Sequence, residues 1–255
     1  MITKNGAVIA EKPEFKDEFL YEVLRYEDGV YLFFEDHINR LKFNLEKCGK
    51  FYLFEKAKLC LNSFIPNFNR RSVMLIVDRD DIYVTDFDIR EVTDDERAHG
   101  VDTDLYDFYR EEPELKLYRK KFKEDIAHKM EEEDLFEFLL VRDGAISEGS
   151  RSNFYYLMDG ILYEPPKKNS LPGVVKKNLY KLLKEEYSIE IREKELSKEG
   201  INNIDGAMLS GTGMDVVPIK KIGDKVFSGK DYEFTLEIAK KFREYIEKYK
   251  LNMKG

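Results

Sequence analysis

Long apolar runs are missing from this sequence of 255 residues. No stretch approaches the roughly 18 to 20 consecutive apolar residues that cross a membrane as a helix. The opening residues, MITKNGAVIAEKPEF, also lack the apolar core and the cleavage site of a secretory signal. We therefore expect a cytoplasmic protein without a membrane partner.

Cysteine and histidine are scarce. The two cysteines, Cys48 and Cys60, are too few for a disulfide framework and indicate free thiols in a reducing compartment. The three histidines, His37, His99 and His128, do not pair at a spacing typical of zinc ligands. The sequence therefore predicts no metal site.

An excess of positive charge is also missing, since the net charge is −8 and the isoelectric point is about 5.2. The basic clusters YRKKFK (118–123) and PPKK (165–168) have acidic residues close by and are interpreted as solvated surface. Such a balance lacks the electrostatic footprint of a nucleic-acid-binding protein.

Several catalytic motifs are missing as well. The sequence contains neither a G-x-G-x-x-G motif between a predicted strand and helix nor a phosphate-binding P-loop. A G-x-S-x-G nucleophile elbow is absent too. These absences argue against dinucleotide binding of the Rossmann type, P-loop nucleotide hydrolysis and serine hydrolase chemistry.

The pattern of apolar residues predicts an α+β protein. FLYEVLRY (19–26) and GVYLFF (29–34) flank the turn EDG and predict a hairpin, followed by a helix at 37–49 that Asp36 caps. Further helices are predicted at about 52–64, 118–133, 171–187 and 231–249, and strands include AISEG (145–149), IEIREKEL (189–196) and GAMLSG (206–211). The charged stretch 87–115, with one strand near 101–109, predicts two domains, 1–110 and 111–255.

Four polar features remain after this assignment. They are Arg40 in EDHINRL, Lys116 after Pro113, Glu148 in ISEGSRSN, and the two glycine-containing loops SLPGVV (170–175) and LSGTG (209–213). Taken singly, the charged residues fit a solvated surface and the loops fit ordinary turns. A glycine at a helix start and a tight S-G-T-G turn nevertheless also suit an anion.

Together these features suit pyridoxal phosphate. A lysine amine forms a Schiff base with the cofactor's aldehyde. A carboxylate keeps the pyridine nitrogen protonated, and this makes the ring a better acceptor of electrons. An arginine and backbone N–H groups bind the phosphate dianion.

The motifs also resemble a known family. In order and spacing, EDHINRL, the lysine, ISEGSRSNFYYLMDGILYEPP, SLPGVVKKNLYKLL and LSGTGMDVVPI are similar to fold-type IV (class IV) pyridoxal-phosphate aminotransferases. That family includes branched-chain aminotransferases, D-amino acid aminotransferases and aminodeoxychorismate lyases. The resemblance runs from about residue 19 to 222. It implies a small N-terminal α+β domain, a larger C-terminal β-barrel-like domain and a homodimer.

The resemblance also implies a role for each motif residue. Lys116 takes the place of the Schiff-base lysine, 32 positions before Glu148, which takes the place of the pyridine-nitrogen partner. Lys120, Lys121 and Lys123 are rivals at shorter spacings. The remaining assignments are Arg40, Gly173, Val174, Val175, Thr212 and Gly213 at the phosphate, Leu171 against the cofactor ring, Tyr21 facing the substrate, and Asn153 as a structural residue beside Glu148.

Three features depart from the family pattern. Val175 stands where the family usually has threonine, which removes one hydroxyl donor worth about 1 kcal/mol. The tyrosine that some members direct at the cofactor's O3′ is missing, and Arg110 or Tyr109 is a candidate replacement. In the segment where D-amino acid enzymes place the arginine and histidine that bind the substrate carboxylate, this sequence has IVDRDDIYVTD (76–86), with no clear match.

We therefore expect an aminotransferase that moves an amino group from a branched-chain or related amino acid to a 2-oxo acid. An aminodeoxychorismate lyase is the alternative with the same cofactor, lysine and glutamate. A non-catalytic protein that binds the cofactor or an interaction partner is the alternative from another class. The role of Arg151 is left open between a solvated side chain and a substrate contact.

Overall fold

A computed structural model describes residues 1–11, 13–66, 68, 70–88 and 90–254. Within these residues there are six α-helices, sixteen strands and three short 3-10 helices. The α-helices are α1 Phe34–Lys47, α2 Phe54–Asn62, α3 Asp94–His99, α4 Lys120–Glu132, α5 Val174–Tyr187 and α6 Lys230–Lys254. The 3-10 helices are Phe51–Leu53, Lys167–Asn169 and Glu199–Asn203. The strands are β1 Ile2–Lys4, β2 Ala7–Val8, β3 Glu18–Glu27, β4 Val30–Tyr31, β5 Arg70–Asp78, β6 Asp81–Phe87, β7 Val101–Asp107, β8 Leu117–Arg119, β9 Glu137–Arg142, β10 Ala145–Gly149, β11 Asn153–Met158, β12 Ile161–Glu164, β13 Arg192–Glu193, β14 Gly206–Gly211, β15 Asp215–Ile222 and β16 Lys225–Val226.

The described chain forms two compact units. The smaller unit contains residues 1–90, 115–124 and 248–255, and the larger unit contains residues 91–114 and 125–247. The chain thus passes from one unit to the other at four points. The predicted division into domains 1–110 and 111–255 stays a prediction, because compact units need not coincide with domains that fold independently.

The smaller unit is built on an antiparallel sheet. Its strand order is β2-β1-β6-β5-β3-β4, with β8 paired to β3. The predicted hairpin forms around Asp28 and Gly29, both of which have positive φ as a tight hairpin turn requires. The core contains Leu24 of β3, Leu41 and Leu45 of α1 and Leu61 of α2. The apolar faces of both helices therefore contribute to the same core as the sheet.

The larger unit contains a mixed sheet. Its strand order is β10-β9-β7-β15-β14-β11-β12-β13, with β16 paired to β15. Most neighbouring strands are antiparallel, whereas β7 runs parallel to β9 and β15, and β12 runs parallel to β13. Phe154, Tyr156 and Leu209 lie in its core. The structure confirms the α+β class: strands and helices are both numerous, and the strands form two sheets.

The first helix begins earlier than predicted. α1 starts at Phe34 rather than His37, and its N-cap is Phe33, which has a left-handed backbone with φ of 53°. Asp36 lies in the first turn, where its charge favours the positive end of the helix dipole, and it is not the cap. The prediction that Asp36 caps this helix is therefore wrong.

Other differences arise where pairing partners are distant in sequence. The predicted helix at 118–133 begins at Lys120, because Leu117–Arg119 pairs with β3 as a strand. In the predicted strand 189–196, the structure has a strand over Arg192–Glu193, which pairs with β12. The stretch 87–115 contains α3, whose capping box of Thr93 and Glu96 is a signal that the sequence interpretation missed.

Among the described residues, none of the helices is both long enough and apolar enough to cross a membrane.

The core of the smaller unit gives a stability prediction. Leu24 is 0% exposed and Leu59 is 66% exposed. Leu24→Ala should lower the free energy of unfolding by about 2 to 5 kcal/mol, because it removes buried methyl groups and leaves a cavity. Leu59→Ala is the matched control and should change it by less than about 0.5 kcal/mol. Urea unfolding followed by circular dichroism measures both, and equal losses would contradict this assignment of the core.

Candidate active site

Lys116 is held by its backbone in the smaller unit. The Oδ1 of Asn44 accepts a hydrogen bond from the backbone N–H of Lys116 at 3.3 Å. The carbonyl of Lys116 accepts one from the backbone N–H of Tyr21 at 3.1 Å. These bonds fix the backbone immediately before β8, so the position from which the lysine side chain starts is well defined.

The side chain of Lys116 lies against Tyr21. Its Nζ is 4.5 Å from the centre of the Tyr21 ring and 3.5 Å from the Tyr21 hydroxyl. An aromatic face attracts an ammonium group electrostatically. Tyr21 itself packs edge-on against Tyr118 at 5.5 Å between ring centres. The structure therefore brings together the predicted Schiff-base lysine and the residue predicted to face the substrate.

The rival lysines have different surroundings. Lys120 and Lys121 are exposed in the first turn of α4, and Lys123 is half-buried with its Nζ 5.7 Å from the ring centre of Phe122. Of these four lysines, Lys116 is the one whose ammonium group contacts the ring and the hydroxyl of Tyr21.

Arg40 lies in a buried network in the smaller unit. Its Nε and Nη2 donate to Oε1 and Oε2 of Glu22, both at 2.7 Å. The Nδ1 of His37 lies 3.0 Å from Oε2 of the same carboxylate. The three side chains are at most 7% exposed. The sequence interpretation missed this network, although Glu22 stands among the apolar residues Phe19–Leu24 of β3.

The network shifts two pKa values. Burial acts to raise the pKa of Glu22, but the charge of Arg40 and the hydrogen bonds from Arg40 and His37 outweigh it and lower this pKa to about 2. Burial lowers the pKa of His37, although Glu22 opposes the shift, so the imidazole is neutral at pH 7. A neutral imidazole facing a carboxylate carries its proton on Nδ1 and donates it.

Glu148 lies on β10 in the larger unit, and its side chain is 2% exposed. The Nη1 of Arg110 donates to its Oε1 at 2.6 Å, and the backbone N–H of Leu171 donates to its Oε2 at 3.0 Å. A bulge between Ile146 and Glu148 shifts the register of β10 against β9. Such bulges change the direction in which a side chain points. Arg110, a candidate for the O3′ contact, thus binds the carboxylate of Glu148.

The other candidate for the O3′ contact lies elsewhere. The hydroxyl of Tyr109 accepts a hydrogen bond from Nη2 of Arg142 at 2.5 Å, and the guanidinium of Arg142 lies 4.0 Å from the Tyr109 ring centre. Tyr109 is 55% exposed. These contacts place its ring on the surface beside Arg142.

The first predicted phosphate loop leads into α5. Gly173 is the N-cap and contributes no side-chain hydrogen bond, and the helix begins at Val174. The first N–H groups of a helix have no acceptor within it, and the helix dipole favours an anion there. A Cβ at Gly173 would clash with Oδ1 of Asn153, so a larger residue here would require the Asn153 side chain to move. The Nδ2 of Asn153 donates to the carbonyl of Leu171 at 2.8 Å, which agrees with the structural role predicted for this asparagine.

The second predicted loop, with Thr212 and Gly213, forms the turn between β14 and β15. The ideal Cβ position of Gly211 lies 3.5 Å from the carbonyl oxygen of Arg151 and 3.6 Å from Cβ of Ser152. Residues 151 to 153 therefore contact both loops. Within the larger unit, the structure brings Glu148, the start of α5 and the β14–β15 turn together around this short segment.

The network of Glu22 gives a pH-dependent prediction. Glu22→Gln should lower the free energy of unfolding by roughly 3 to 5 kcal/mol at pH 7, because it leaves Arg40 buried without the carboxylate. A carboxyl whose pKa is lowered on folding stabilises the protein above its ordinary value of 4.5 and loses that effect as the pH falls toward about 2. The difference in the free energy of unfolding between wild type and Glu22→Gln should therefore become smaller as the pH falls from 4.5 to about 2.

Urea unfolding at a series of pH values measures that difference. Glu18→Gln is the matched control on the same strand, since the Glu18 side chain is 50% exposed and should contribute little. A difference for Glu22→Gln that stays constant from pH 7 to pH 2 would contradict the lowered pKa.

Comparisons with known proteins indicate the family of the chain. The model of the family amino-transferase class IV matches residues 19–222, well over half of the chain. D-alanine aminotransferase of Staphylococcus aureus (strain COL) is 30% identical over 111 residues, which are 43% of this chain and 39% of that protein. Branched-chain-amino-acid aminotransferase of Escherichia coli (strain K12) is 36% identical over 102 residues, which are 39% of this chain and 33% of that protein. The matched segments thus span less than half of these relatives.

Solved structures resemble the chain over almost its whole length. The branched-chain amino acid aminotransferase of Escherichia coli has a TM-score of 0.74 at 19% identity and covers 92% of both chains. The 4-amino-4-deoxychorismate lyase of Pseudomonas aeruginosa has a TM-score of 0.75 at 17% identity and covers 96% of this chain and 98% of that one. A hypothetical aminotransferase of Mycobacterium tuberculosis in its PLP-bound form has a TM-score of 0.72 at 15% identity, covering 94% and 97%. At these identities the likeness concerns the fold, and together with the family model it leads to one conclusion: the chain belongs to the class IV amino-transferases.

Proposed function

We propose that this protein is a pyridoxal-phosphate-dependent aminotransferase that moves an amino group from a branched-chain or related amino acid to a 2-oxo acid. The observation that carries the proposal is the buried carboxylate of Glu148, which Arg110 and the backbone of Leu171 hold in place. By the resemblance of its motif, Glu148 takes the place of the residue with which the family binds the pyridine nitrogen.

The residues of the larger unit fit this cofactor. A carboxylate has about four acceptor positions. The bonds from Arg110 and Leu171 take one on each oxygen of Glu148, and a pyridinium N–H needs one more. The start of α5 offers backbone N–H groups to a phosphate, and Gly173 adds no side chain in front of them. The missing hydroxyl at Val175 weakens this site by about 1 kcal/mol and leaves its N–H donors intact.

When bound, pyridoxal phosphate would supply an aldehyde for covalent attachment and a ring that withdraws electrons from the substrate. Lys116 would hold the aldehyde carbon in the resting enzyme. During the reaction, its freed Nζ would take the α-proton of the substrate and return a proton as general base and acid. Tyr21 lies against this amine, with its hydroxyl 3.5 Å from Nζ. Glu148 would keep the pyridine nitrogen protonated, and Arg40 would act at the phosphate.

The substrate assignment rests on relatives. The two curated relatives are named for D-alanine and for branched-chain amino acids. The family suggests a branched-chain or related L-amino acid, and the stretch 76–86 has no clear match to the substrate-carboxylate residues of the D-amino acid enzymes. Glutamate with 2-oxoglutarate is the second pair that the family suggests.

A lyase acting on aminodeoxychorismate is the second candidate. The Pseudomonas aeruginosa enzyme of that name covers nearly the whole of this chain with the same fold. Both reactions use the same lysine and glutamate, so these residues do not separate them. Incubation with amino donors and 2-oxo acids, and separately with aminodeoxychorismate, followed by product analysis, distinguishes the two activities.

Two further expectations stay predictions. The family resemblance suggests a homodimer, which light scattering of the purified protein tests. The low cysteine content suggests a cytoplasmic location, and both cysteines, Cys48 and Cys60, are free thiols.

Covalent attachment gives a direct test of Lys116. Purified protein incubated with pyridoxal phosphate should turn yellow, and borohydride reduction followed by peptide mapping should place the pyridoxyl group on Lys116. Lys120→Ala is the matched control and should keep that label, because Lys120 is exposed on α4. A label on Lys120, Lys121 or Lys123 would disprove the residue assignment, and protein that takes up no cofactor would disprove the proposed function.

Glu148→Gln tests the role of the carboxylate. Glutamine has nearly the same shape but does not hold the pyridine nitrogen protonated, so turnover should fall by roughly 100-fold or more while the fold and the bound cofactor remain. Steady-state kinetics with an amino donor and a 2-oxo acid measures the loss. Glu185→Gln, on the exposed face of α5, is the control. Near-normal turnover in Glu148→Gln would contradict the proton-holding role.

A further inference from the structure

Glu137 is a fully buried charged residue to which the proposed reaction gives no role. It is the first residue of β9, and it is 0% exposed. β9 lies beside β10, with Leu140 opposite Glu148 and Leu139 opposite Gly149. The side chain of Glu137 therefore starts three residues before Leu140, the residue that faces Glu148.

The carboxylate of Glu137 binds the turn that follows Glu148. Its Oε1 accepts hydrogen bonds from the backbone N–H of Arg151 at 2.6 Å, from Oγ of Ser152 at 3.0 Å and from Oγ of Ser150 at 3.4 Å. Three consecutive residues of one turn thus donate to a single oxygen. A carboxylate accepts such bonds more strongly than a neutral group does.

Arg151 closes the same turn from the outside. Its Nε is 3.7 Å from Oε2 of Glu137, and its Nη2 donates to the carbonyl of Phe136 at 2.7 Å. The guanidinium carbon lies 5.1 Å from the centre of the Phe136 ring. These contacts bind Arg151 to the start of β9 and place its positive charge beside Glu137.

Gly149 lets Glu137 approach the chain immediately after Glu148. An added Cβ at this position would lie 2.5 Å from Oε1 of Glu137 and 2.2 Å from Oγ of Ser152. The backbone N–H of Gly149 also donates to the carbonyl of Ser152 at 2.9 Å. The residue after Glu148 is thus enclosed between the buried carboxylate and the rest of the turn.

A buried carboxylate is a poor way to gain stability, because its desolvation cancels much of what its partners contribute. An apolar side chain of similar size would fill the same space without that cost. What Glu137 adds is a fixed geometry of three donors in the turn between Glu148 and Asn153.

We propose that Glu137 is a positioning residue that fixes the turn at 149–152 and thereby holds the carboxylate of Glu148 in its direction. The inference rests on the proposed function in one respect: the reason for orienting the Glu148 carboxylate is that it would bind the pyridine nitrogen. The positioning itself is a property of the protein without cofactor and is tested there.

The first experiment follows the Leu171 amide, which donates to Glu148. In the protein without cofactor, hydrogen exchange measured by NMR should accelerate about tenfold or more at Leu171 in Glu137→Met, relative to the Met208 amide in β14. Glu137→Gln keeps an oxygen that accepts from the turn, so its exchange rate should stay within about threefold of wild type.

Several outcomes would overturn the proposal. Unchanged exchange at Leu171 in Glu137→Met would show that Glu148 does not depend on Glu137. Equal acceleration at Leu171 and Met208 would show a general loss of stability without a specific effect on Glu148. If Glu137→Met does not fold, Ser152→Ala removes one donor to Oε1, and unchanged exchange at Leu171 in that variant would overturn the proposal equally.

The second experiment uses protein loaded with pyridoxal phosphate labelled with ¹⁵N in the ring. The ¹⁵N chemical shift reports the protonation of the pyridine nitrogen, which should be lost at lower pH in Glu137→Met than in wild type and in Glu137→Gln. Identical titrations in all three proteins would overturn the link between Glu137 and the pyridine nitrogen. Wild-type protein that takes up no cofactor would instead disprove the proposed function and leave the exchange result at Leu171 valid.

Discussion

The buried carboxylate of Glu148 is the interaction on which the polar interior of the larger unit depends. A charge removed from water must be met by donors, or folding becomes too costly. Arg110 and the backbone of Leu171 provide them from two different segments. The partner Leu171 then fixes the loop before α5, which Asn153 holds from the other side. Satisfying one carboxylate thus ties β10 to the segment of Arg110 and to the loop that leads into α5.

The smaller unit follows the same physical logic with a different carboxylate. Glu22 is buried between Arg40 and His37, and the pair with Arg40 fixes the plane of that guanidinium. Because His37 is held neutral, the charge within this group is balanced between one acid and one base. Both units thus combine an apolar core, built from alternating or helical patterns, with a compact polar network that such patterns do not describe.

Local signals predicted much of the fold. The hairpin at 19–34 followed from alternation and the turn EDG, and α5 followed from a glycine-preceded amphipathic run. The strand Leu117–Arg119 was missed because its partner, β3, lies about a hundred residues earlier, and helix propensity alone extends α4 over it. Helix α3 was missed although its capping box is visible in the sequence.

The candidate site was predicted more by resemblance than by physics. Motif order indicated Lys116 and Glu148, but not that Arg110, 38 positions from Glu148, binds its carboxylate. Motif order also did not indicate that the guanidinium of Arg40 donates hydrogen bonds to the Glu22 carboxylate. Contacts between side chains far apart in sequence depend on the packing of whole strands and helices, and no local pattern encodes them. The roles of the site residues at the cofactor stay predictions.

The start of α5 has a consequence for how this chain can vary. The donors proposed to bind the phosphate there are main-chain N–H groups, and the residues that carry them, Val174 and Val175, are both apolar and buried. Almost any replacement that keeps the helix also keeps these donors, and proline is the exception, since it has no N–H. The side chains here are therefore free to follow the packing of the core, whereas Gly173 is not. We therefore expect substitutions to be tolerated at Val174 and Val175 more readily than at Gly173, because the N–H donors belong to the backbone and do not depend on the side chain.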